Sequence, residues 1–398
     1  MLADRTTRIS SSPTMKGLLA AERLRQAGVD VVDLSAGEPD FPTPEHVKDA
    51  AHAAITANFT KYTANAGTSE LKQAIAARYR ADYGVDYAEP EIIVCAGGKQ
   101  ALVNAALTVF GPGDEVITHT PGWPTIVEQI KLAEATPVIV RSSPEDGFAL
   151  RAAPFLDAIT PRTRALVINS PANPTGALIA EAEMVAIAEA AARRGLWVIL
   201  DLCYEKLIYD PVAHNLPKVL GERLRERTIL TGSASKAYAM TGWRCGWLLG
   251  SREVVAACNA IQSHSTSNVC SITQKAVVAA LQGPQQCVTD MLSEYRRRRD
   301  LIWSLLTRDS RVRCVKPGGA FYLFVDVSEL LSPDGLRTSA DFCQALLEDQ
   351  HVVVTAGEAF DAPGYLRISY ATSMEQLREG ATRILRFVES LQPAPAGA

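Results

Sequence analysis

Short, continuously apolar runs recur through the middle of the chain and alternate with alanine-rich segments. Most of the runs lack a regular exchange of apolar and polar residues, which is typical of strands buried on both faces of a largely parallel sheet. The segments between them, such as 99–110 and 181–195, have helical periodicity. This alternation predicts an α/β domain with helices on both faces of the sheet. The seven predicted strands are 91–96, 114–119, 136–141, 164–169, 196–201, 227–232 and 245–250.

The pattern changes after about residue 285. A chain of 398 residues is too long for one ordinary core and favours two domains. We predict a large domain over 46–285 and a smaller α+β domain over 286–398, which the N-terminal segment 1–45 joins. The Gly- and Pro-rich stretch 36–44 is expected to be a loop between the domains. The elements of the smaller domain are predicted as helices over 290–308 and 338–349 and strands within 318–327, 352–357 and 365–371.

Composition excludes several classes of protein. A hydrophobic content of 47% with 21% charged residues is typical of a soluble globular chain. The formal net charge of −4 gives no reason to expect nucleic acid or an anionic membrane as a partner. The single strongly basic cluster, Arg296–Arg299, is expected on the solvated side of a helix.

Targeting and metal signals are missing from the sequence. No stretch approaches the roughly 20 apolar residues of a membrane span, and the first residues do not have the pattern of a secretory signal. The eight cysteines form no CxxC pair and the six histidines are scattered. Several of the cysteines lie inside apolar runs, so we expect buried thiols in a reducing cytoplasm, and no metal site.

Polar residues cluster just past the ends of the predicted strands. Because open α/β sheets bind ligands at the carboxyl ends of their strands, five such turns at one edge predict a binding site there. The turns are GGKQ at 97–100, TPGW at 120–123, SPANPTG at 170–176, Asp201 after WVIL, and SASK at 233–236.

Lys236 lies in TGSASKAYAMTGWRCGW, a stretch without acidic residues. Ser233, Ser235 and Arg244 would bind an anion beside the amine, as a phosphorylated aldehyde cofactor held as a Schiff base requires. Gly98, at the predicted start of helix 99–110, would let phosphate approach free backbone N–H groups. The alternative is an exposed lysine in a Ser/Gly loop.

Other side chains suit the ring of such a cofactor. Asp201 would pair with a protonated pyridine nitrogen, although a helix cap is an alternative. Tyr204 and Asn173 can reach the ring oxygen, and Trp123 can stack on the ring or serve in packing. Arg367, in the middle of an apolar strand, would bind a substrate carboxylate or form a structural salt bridge.

In this order, SPANPTG, D-x-x-Y at 201–204, SASK, TGWRCGW and YLRISYAT resemble the class I aminotransferases of fold type I, which use pyridoxal 5′-phosphate. The likeness runs from about residue 8 to 388. AGEPDF, KYTANAG and GGKQAL are similar to the bacterial aspartate aminotransferase branch, some members of which accept prephenate.

The resemblance implies a role for each motif residue. Lys236 would carry the Schiff base and act with Asp201 and Tyr204 as a catalytic residue. Tyr62 would reach the phosphate of a neighbouring subunit, which implies a homodimer. The implied cofactor-binding set is Gly98, Lys99, Trp123, Asn173, Asp201, Tyr204, Ser233, Ser235, Lys236, Arg244 and Tyr62. The implied substrate-binding set is Gly37, Lys99, Trp123, Asn173 and Arg367, with Arg8, Ser12 and Thr14 assisting Lys99 in recognising an acidic side chain.

The resulting hypothesis is a ping-pong aminotransferase that moves the amino group of aspartate to 2-oxoglutarate. Prephenate, aromatic or alanine transamination, a carbon–sulfur β-lyase and a non-catalytic sensor remain as alternatives. The chain departs from the family at Gly122, at Leu202 and Cys203, and over 265–271, which bears on the side-chain pocket.

Overall fold

The structure is a computed structural model that describes residue 3 and residues 5–10 and 15–391. Its strands alternate with helices through the middle of the chain, as the apolar runs indicate. The strands are β1 (Val32–Asp33), β2 (Ile92–Cys95), β3 (Glu115–Thr120), β4 (Thr136–Arg141), β5 (Thr163–Asn169), β6 (Trp197–Asp201), β7 (Thr228–Ser233), β8 (Gly246–Leu249), β9 (Arg313–Cys314), β10 (Tyr322–Asp326), β11 (Val352–Val353), β12 (Thr355–Ala356) and β13 (Tyr365–Ser369).

Most helices have the apolar spacing of amphipathic segments that cover a sheet. The helices are α1 (Arg5–Arg8), α2 (Met15–Gln26), α3 (Glu45–Thr56), α4 (Ser69–Tyr83), α5 (Gly98–Val109), α6 (Pro124–Leu132), α7 (Ala152–Asp157), α8 (Glu181–Arg194), α9 (Leu216–Arg223), α10 (Ala234–Ala237), α11 (Arg252–Ser263), α12 (Ser271–Gln282), α13 (Gln286–Leu306), α14 (Ser339–Gln350) and α15 (Met374–Ser390).

All seven strands predicted from the apolar runs form one sheet within the described residues. Its order is β2-β8-β7-β6-β5-β3-β4. β8 runs in the direction opposite to the other six strands, so it pairs in antiparallel fashion with both β2 and β7. Side chains from successive residues enter two different cores: Leu166 and Ile168 of β5 face one, Ala165 and Val167 the other. The α/β prediction is confirmed, and burial on both faces explains why these strands are continuously apolar.

The end of the chain forms a second sheet. Its order is β12-β13-β10-β9, with antiparallel pairing throughout. The N-terminal segment reaches this region through β1, which pairs in parallel with β11 at Val32–Val352, and Leu34 packs in the same core. The residues around β1 therefore pack with the C-terminal part of the chain, whereas the backbone N–H of Ser10 donates to Glu128 of α6 at 2.8 Å. The domain boundaries themselves stay a prediction.

The expectation of a solvated arginine cluster is wrong for two of its four members. Arg298 and Arg299 of α13 are buried, at 6% and 3% exposure. Arg298 lies 4.8 Å from the ring of Phe41 and donates to Asp40 at 2.7 Å. These partners lie far away in the sequence, and helical periodicity does not reveal them. The buried guanidinium groups are paired, as burial of charge requires.

No helix in residues 3, 5–10 and 15–391 is both long and apolar enough to cross a membrane. The eight cysteines are free thiols. Cys95, Cys245 and Cys258 are buried as expected, whereas Cys270 is exposed and the other four are partly buried. Within the described ranges no three His, Cys, Asp or Glu side chains are grouped as a metal ion would need. The prediction that the protein holds no metal stays a prediction.

Candidate active site

A cleft of about 440 Å³ opens at the carboxyl ends of the central strands. This is the edge where parallel α/β sheets place their ligand sites. Of the residues predicted to bind cofactor or substrate directly, all but Tyr62 line this cleft. The lining comprises Ser35, Ala36, Gly37, Glu38, Gly98, Lys99, Leu102, Trp123, Asn169, Asn173, Asp201, Cys203, Tyr204, Ser233, Ser235, Lys236, Thr241, Arg244, Tyr322 and Arg367.

The cleft has two sides of different origin. The strand-end floor consists of residues at or just after the ends of central strands: Gly98, Asn169, Asp201, Ser233 and Ser235. The other side, which we call the long-range wall, brings together residues from the first forty and the last eighty positions of the same chain: Ser35, Gly37, Glu38, Tyr322 and Arg367.

Lys236 stands between these two sides. It lies on the short helix α10, which follows β7 directly, so the end of the strand fixes the direction of its side chain. Its Nζ donates a hydrogen bond to the carbonyl oxygen of Gly37 in the wall. Burial lowers the pKa of the Lys236 amine, because desolvation disfavours its charged form. A lysine with a lowered pKa can act as a nucleophile or a base.

Asp201 ends β6 at 3% exposure. Burial raises the pKa of its carboxyl to about 7, which the hydrogen bond from the backbone N–H of Cys203, at 3.0 Å, opposes. Strand register places Asn169 directly beside it, and the Asn169 amide donates to the Asp201 carbonyl oxygen at 3.3 Å. The carboxyl has no cation bonded to it in the described part of the chain, so a cationic ligand group would suit it.

The far end of the floor can hold an anion. The backbone approaches closely here: a Cβ on Gly246 would lie 2.4 Å from the Gly98 nitrogen, and one on Gly97 (φ +87°) 2.4 Å from an Arg244 nitrogen. The glycines thus bring the N-terminus of α5 next to Arg244 and Ser233. Free N–H groups, the helix dipole and a guanidinium together favour phosphate.

The Arg244 guanidinium is held by two carbonyl groups of the loop around it. It donates to Thr241 at 2.8 Å and to Ala96 at 3.4 Å. Both contacts are with neutral acceptors, so the positive charge is available to a ligand.

Arg367 lies in the wall at 4% exposure. It donates to the side-chain oxygen of Asn173 at 3.1 Å and to the carbonyl oxygen of Ser35 at 2.9 Å, while its Nε is buried without a partner. Its guanidinium lies 4.4 Å from the ring centre of Tyr322. Among the described residues no carboxylate bonds to it, so the structural salt bridge considered above is not formed.

Trp123 and Lys99 lie together at the mouth of the cleft. The Lys99 Nζ is 5.1 Å from the centre of the Trp123 ring, a cation–π distance. Burial, and secondly the charge of Arg244, lowers the pKa of Lys99. Trp123 also precedes α6, so its position in the cleft is fixed by the start of that helix.

Tyr322 is a site residue that the sequence did not reveal. Its hydroxyl lies 2.9 Å from that of Tyr204, and both rings are buried. Antiparallel pairing of β10 with β13 places it near Arg367. The residues of β10 are apolar up to Asp326, so the sequence has no alternation that would indicate which face meets the cleft.

Two further predicted residues, Tyr62 and Arg8, do not line the cleft of their own chain. Tyr62 is 92% exposed and borders a separate surface depression, and Arg8 is exposed on α1. Ser12 and Thr14 lie outside the described residues.

The departures from the family pattern have local structural reasons. A Cβ at Gly122 would lie 2.3 Å from the carbonyl oxygen of His119, so this turn has no room for a side chain. Leu202 is 2% exposed in the core, and Cys203 lines the cleft 3.9 Å from the Ser233 hydroxyl. Thr266, in the divergent segment 265–271, accepts a hydrogen bond from Gln100.

The chain is similar to known aminotransferases along nearly its whole length. Residues 29–384 match the family model of aminotransferases of class I and II. The chain is 40% identical to an aspartate aminotransferase of Geobacillus stearothermophilus, over 98% of this chain and 99% of the relative. It is 42% identical to an aspartate/prephenate aminotransferase of Cereibacter sphaeroides, with the same coverage of 98% and 99%.

Solved structures resemble the whole chain. The aspartate aminotransferase of Rhizobium meliloti superposes with a TM-score of 0.93 at 41% identity, covering 98% of this chain and 100% of that one. That of Thermus thermophilus, solved with maleate, superposes with a TM-score of 0.91 at 39% identity, covering 97% and 99%.

Proposed function

The chain belongs to the family of class I and II aminotransferases, and we propose that it transfers the amino group of L-aspartate to 2-oxoglutarate with pyridoxal 5′-phosphate as cofactor. The observation that carries the proposal is that Lys236 lines the same cleft as two complementary groups. One is the buried carboxyl of Asp201, which can bind a cation, and the other is the N-terminus of α5 beside Arg244, which can bind an anion. A ring with a basic nitrogen at one end and a phosphate at the other requires both of these groups.

The residues of the cleft fit this cofactor. The buried carboxyl of Asp201 lacks a bonded cation in the described part of the chain, and a protonated ring nitrogen would supply one. The glycine cradle at Gly97 and Gly246 exposes the start of α5 to a phosphate group, with Arg244 beside it. Asn173 and Tyr204 would bind the ring oxygen, Trp123 would stack on the ring, and Ser233, Ser235, Gly98 and Lys99 would complete the phosphate region.

When bound, the cofactor supplies an aldehyde for the amino group and a ring that takes up the electron pair left after loss of the Cα proton. Lys236 accepts that proton from the substrate and returns it to the cofactor side, because its amine has a lowered pKa. Arg367, Asn173 and the backbone of Gly37 bind the substrate α-carboxylate. The same residues act in reverse on the 2-oxo acid, which makes the kinetics ping-pong.

Two features support an acidic substrate. Lys99 and Arg367 both line the cleft, so the two carboxylates of a dicarboxylic acid can each bind to one cation. The relatives named above are aspartate aminotransferases, and one was solved with maleate, which is also a dicarboxylate. Prephenate is the second candidate substrate, because one relative is named for both compounds.

We further propose a homodimer that acts in the cytoplasm. Tyr62 is 92% exposed and cannot serve the cleft of its own chain from there, whereas it can serve that of a second copy. Eight free thiols fit a reducing compartment.

The test is a panel of amino donors, including aspartate, alanine, an aromatic amino acid and a sulfur amino acid, each supplied with 2-oxoglutarate and the cofactor. We expect aspartate to give oxaloacetate and to convert the cofactor to its pyridoxamine form. Pyruvate and ammonia from the sulfur amino acid would instead indicate a β-lyase. A neutral aliphatic donor that exceeds aspartate would refute the role of Lys99, and a protein that does not bind the cofactor would refute the whole proposal.

A further inference from the structure

Glu205 lies directly behind the strand-end floor, outside the cleft. It belongs to the same turn as Asp201, closed by a hydrogen bond from the Glu205 backbone N–H to the Leu202 carbonyl oxygen at 3.0 Å. Its carboxylate accepts a hydrogen bond from the hydroxyl of Tyr83, on α4. No step of the proposed reaction uses Glu205.

The charges around Glu205 do not cancel those of the turn. Two cations lie near it, Lys206 and Arg78, but both are bonded to Asp82. With Asp201 the group has three carboxyl groups and two cations, which leaves one excess negative charge when all three carboxyl groups are ionised. The titratable and charged groups that face Glu205 from the elements around it are Arg78, Tyr79, Asp82 and Tyr83 of α4, Asp201, Cys203 and Lys206 of its own turn, and Tyr238 after α10.

We propose that Glu205 is a positioning residue, which acts through Asp201 by placing a second negative charge behind the carboxylate that faces the ring nitrogen of the cofactor. The inference rests on the proposed function, since it requires a pyridine nitrogen at Asp201. Tyr83 keeps the Glu205 carboxylate oriented. Burial raises the pKa of the Glu205 carboxyl, and Lys206, the hydrogen bond from Tyr83 and Arg78 oppose that rise, so these three groups favour the ionised form. The second charge strengthens the attraction of the floor for a protonated ring.

The effect of Glu205 on Asp201 has a definite sign. The Glu205 charge raises the pKa of Asp201, in the same direction as the larger effect of burial, to about 7. In the cofactor-free chain Asp201 is therefore neutral below about pH 7 and charged above it. Without the Glu205 charge its pKa falls, and the ionised floor persists to lower pH.

The experiment compares two probes that bind without forming a covalent bond to the protein. One is pyridoxamine 5′-phosphate, and the other is its analogue with carbon in place of the ring nitrogen. Their affinities for the full-length cofactor-free chain are measured from pH 5.5 to 8.5 by quenching of tryptophan fluorescence. The ratio of the two affinities isolates the ring nitrogen, because the phosphate titrates equally in both probes.

For Glu205→Gln we expect the ratio at pH 8 to fall about three- to ten-fold, since one of two nearby charges is removed. The pH below which this ratio of affinities declines should also be lower in the variant than in the wild-type chain. Tyr83→Phe should shift the ratio in the same direction but less, because the carboxylate remains and only loses its donor. Glu222→Gln, which removes one charge from an exposed position on α9, is the matched control and should leave the ratio unchanged.

An unchanged ratio in Glu205→Gln overturns the inference. So does an equal loss of affinity for both probes, since that is a structural effect; thermal unfolding of the variant identifies it. Failure of the wild-type chain to bind either probe instead contradicts the proposed function, so the two failures are distinguishable.

Discussion

The strand-end floor and the long-range wall meet at Lys236, yet they are built differently. Each floor residue is positioned by a strand of one sheet, and register places Asn169 directly beside Asp201. The wall depends on contacts between distant segments, such as those of Arg367 with Ser35 and Asn173. We propose that the floor residues determine whether the cofactor binds, and that the wall residues determine which substrate is accepted and how well.

The largest effect is expected at the residue that joins the two sides. Lys236→Ala should reduce turnover of aspartate with 2-oxoglutarate by at least about 10²–10⁴-fold, because the amine moves the proton. Cofactor should still bind through the floor, as measured by absorbance after dialysis. Near-normal turnover would refute the assignment of Lys236.

On the wall, Arg367→Ala should reduce kcat/KM for aspartate by about 10²-fold, since charge-assisted bonds to the α-carboxylate are lost. Affinity for the cofactor should remain within about two-fold, because the floor is untouched. Arg141→Ala, an exposed arginine, is the control. Loss of cofactor affinity in Arg367→Ala would break the distinction between floor and wall.

On the floor, Asp201→Asn should stabilise the cofactor-free chain while it weakens cofactor binding. The folded pKa of Asp201, about 7, is higher than its ordinary value of 3.8, so the folded state binds more protons between these pH values and loses stability as pH rises. The variant should therefore gain up to about 4 kcal/mol in free energy of unfolding at pH 8 and almost nothing at pH 4.

Urea unfolding at both pH values measures this gain. Asp334→Asn, at an exposed position, should show none. A gain that is equal at pH 4 and pH 8 would mean that the charge of Asp201 carries no cost in the folded chain.

The smallest effect is expected where the wall touches the loop after Lys236. The Thr241 hydroxyl donates to Glu38 at 2.7 Å, at an exposed position. Thr241→Val should raise KM for aspartate about two- to five-fold with kcat nearly unchanged, since one exposed hydrogen bond contributes about 1 kcal/mol. Thr382→Val, on the exposed side of α15, is the control. An equal rise in KM in that variant would mean that the hydrogen bond between Thr241 and Glu38 is not the cause.

The floor was largely predictable from the sequence, whereas Gly37 and Arg367 were the only two of the five wall residues that it indicated. Apolar runs are local signals, so they revealed the seven central strands and the polar residues at their ends. Tyr322 and Glu38 escaped notice because their positions depend on how β10 and the segment before α3 fold against residues far away. The burial of Arg298 was missed for the same reason: Asp40 and Phe41 lie more than two hundred positions earlier.

The pairing of β1 with β11 has a consequence for synthesis of the protein on the ribosome. Val32 can pair only after Val352 has been synthesised, whereas all seven central strands have been synthesised once the ribosome has added Leu249. The nascent chain can thus assemble its central sheet, and with it the place where a vitamin-derived ring would bind, well before β1 can pair with β11. Until translation is nearly finished, Val32 and Asp33 lack the strand with which they pair.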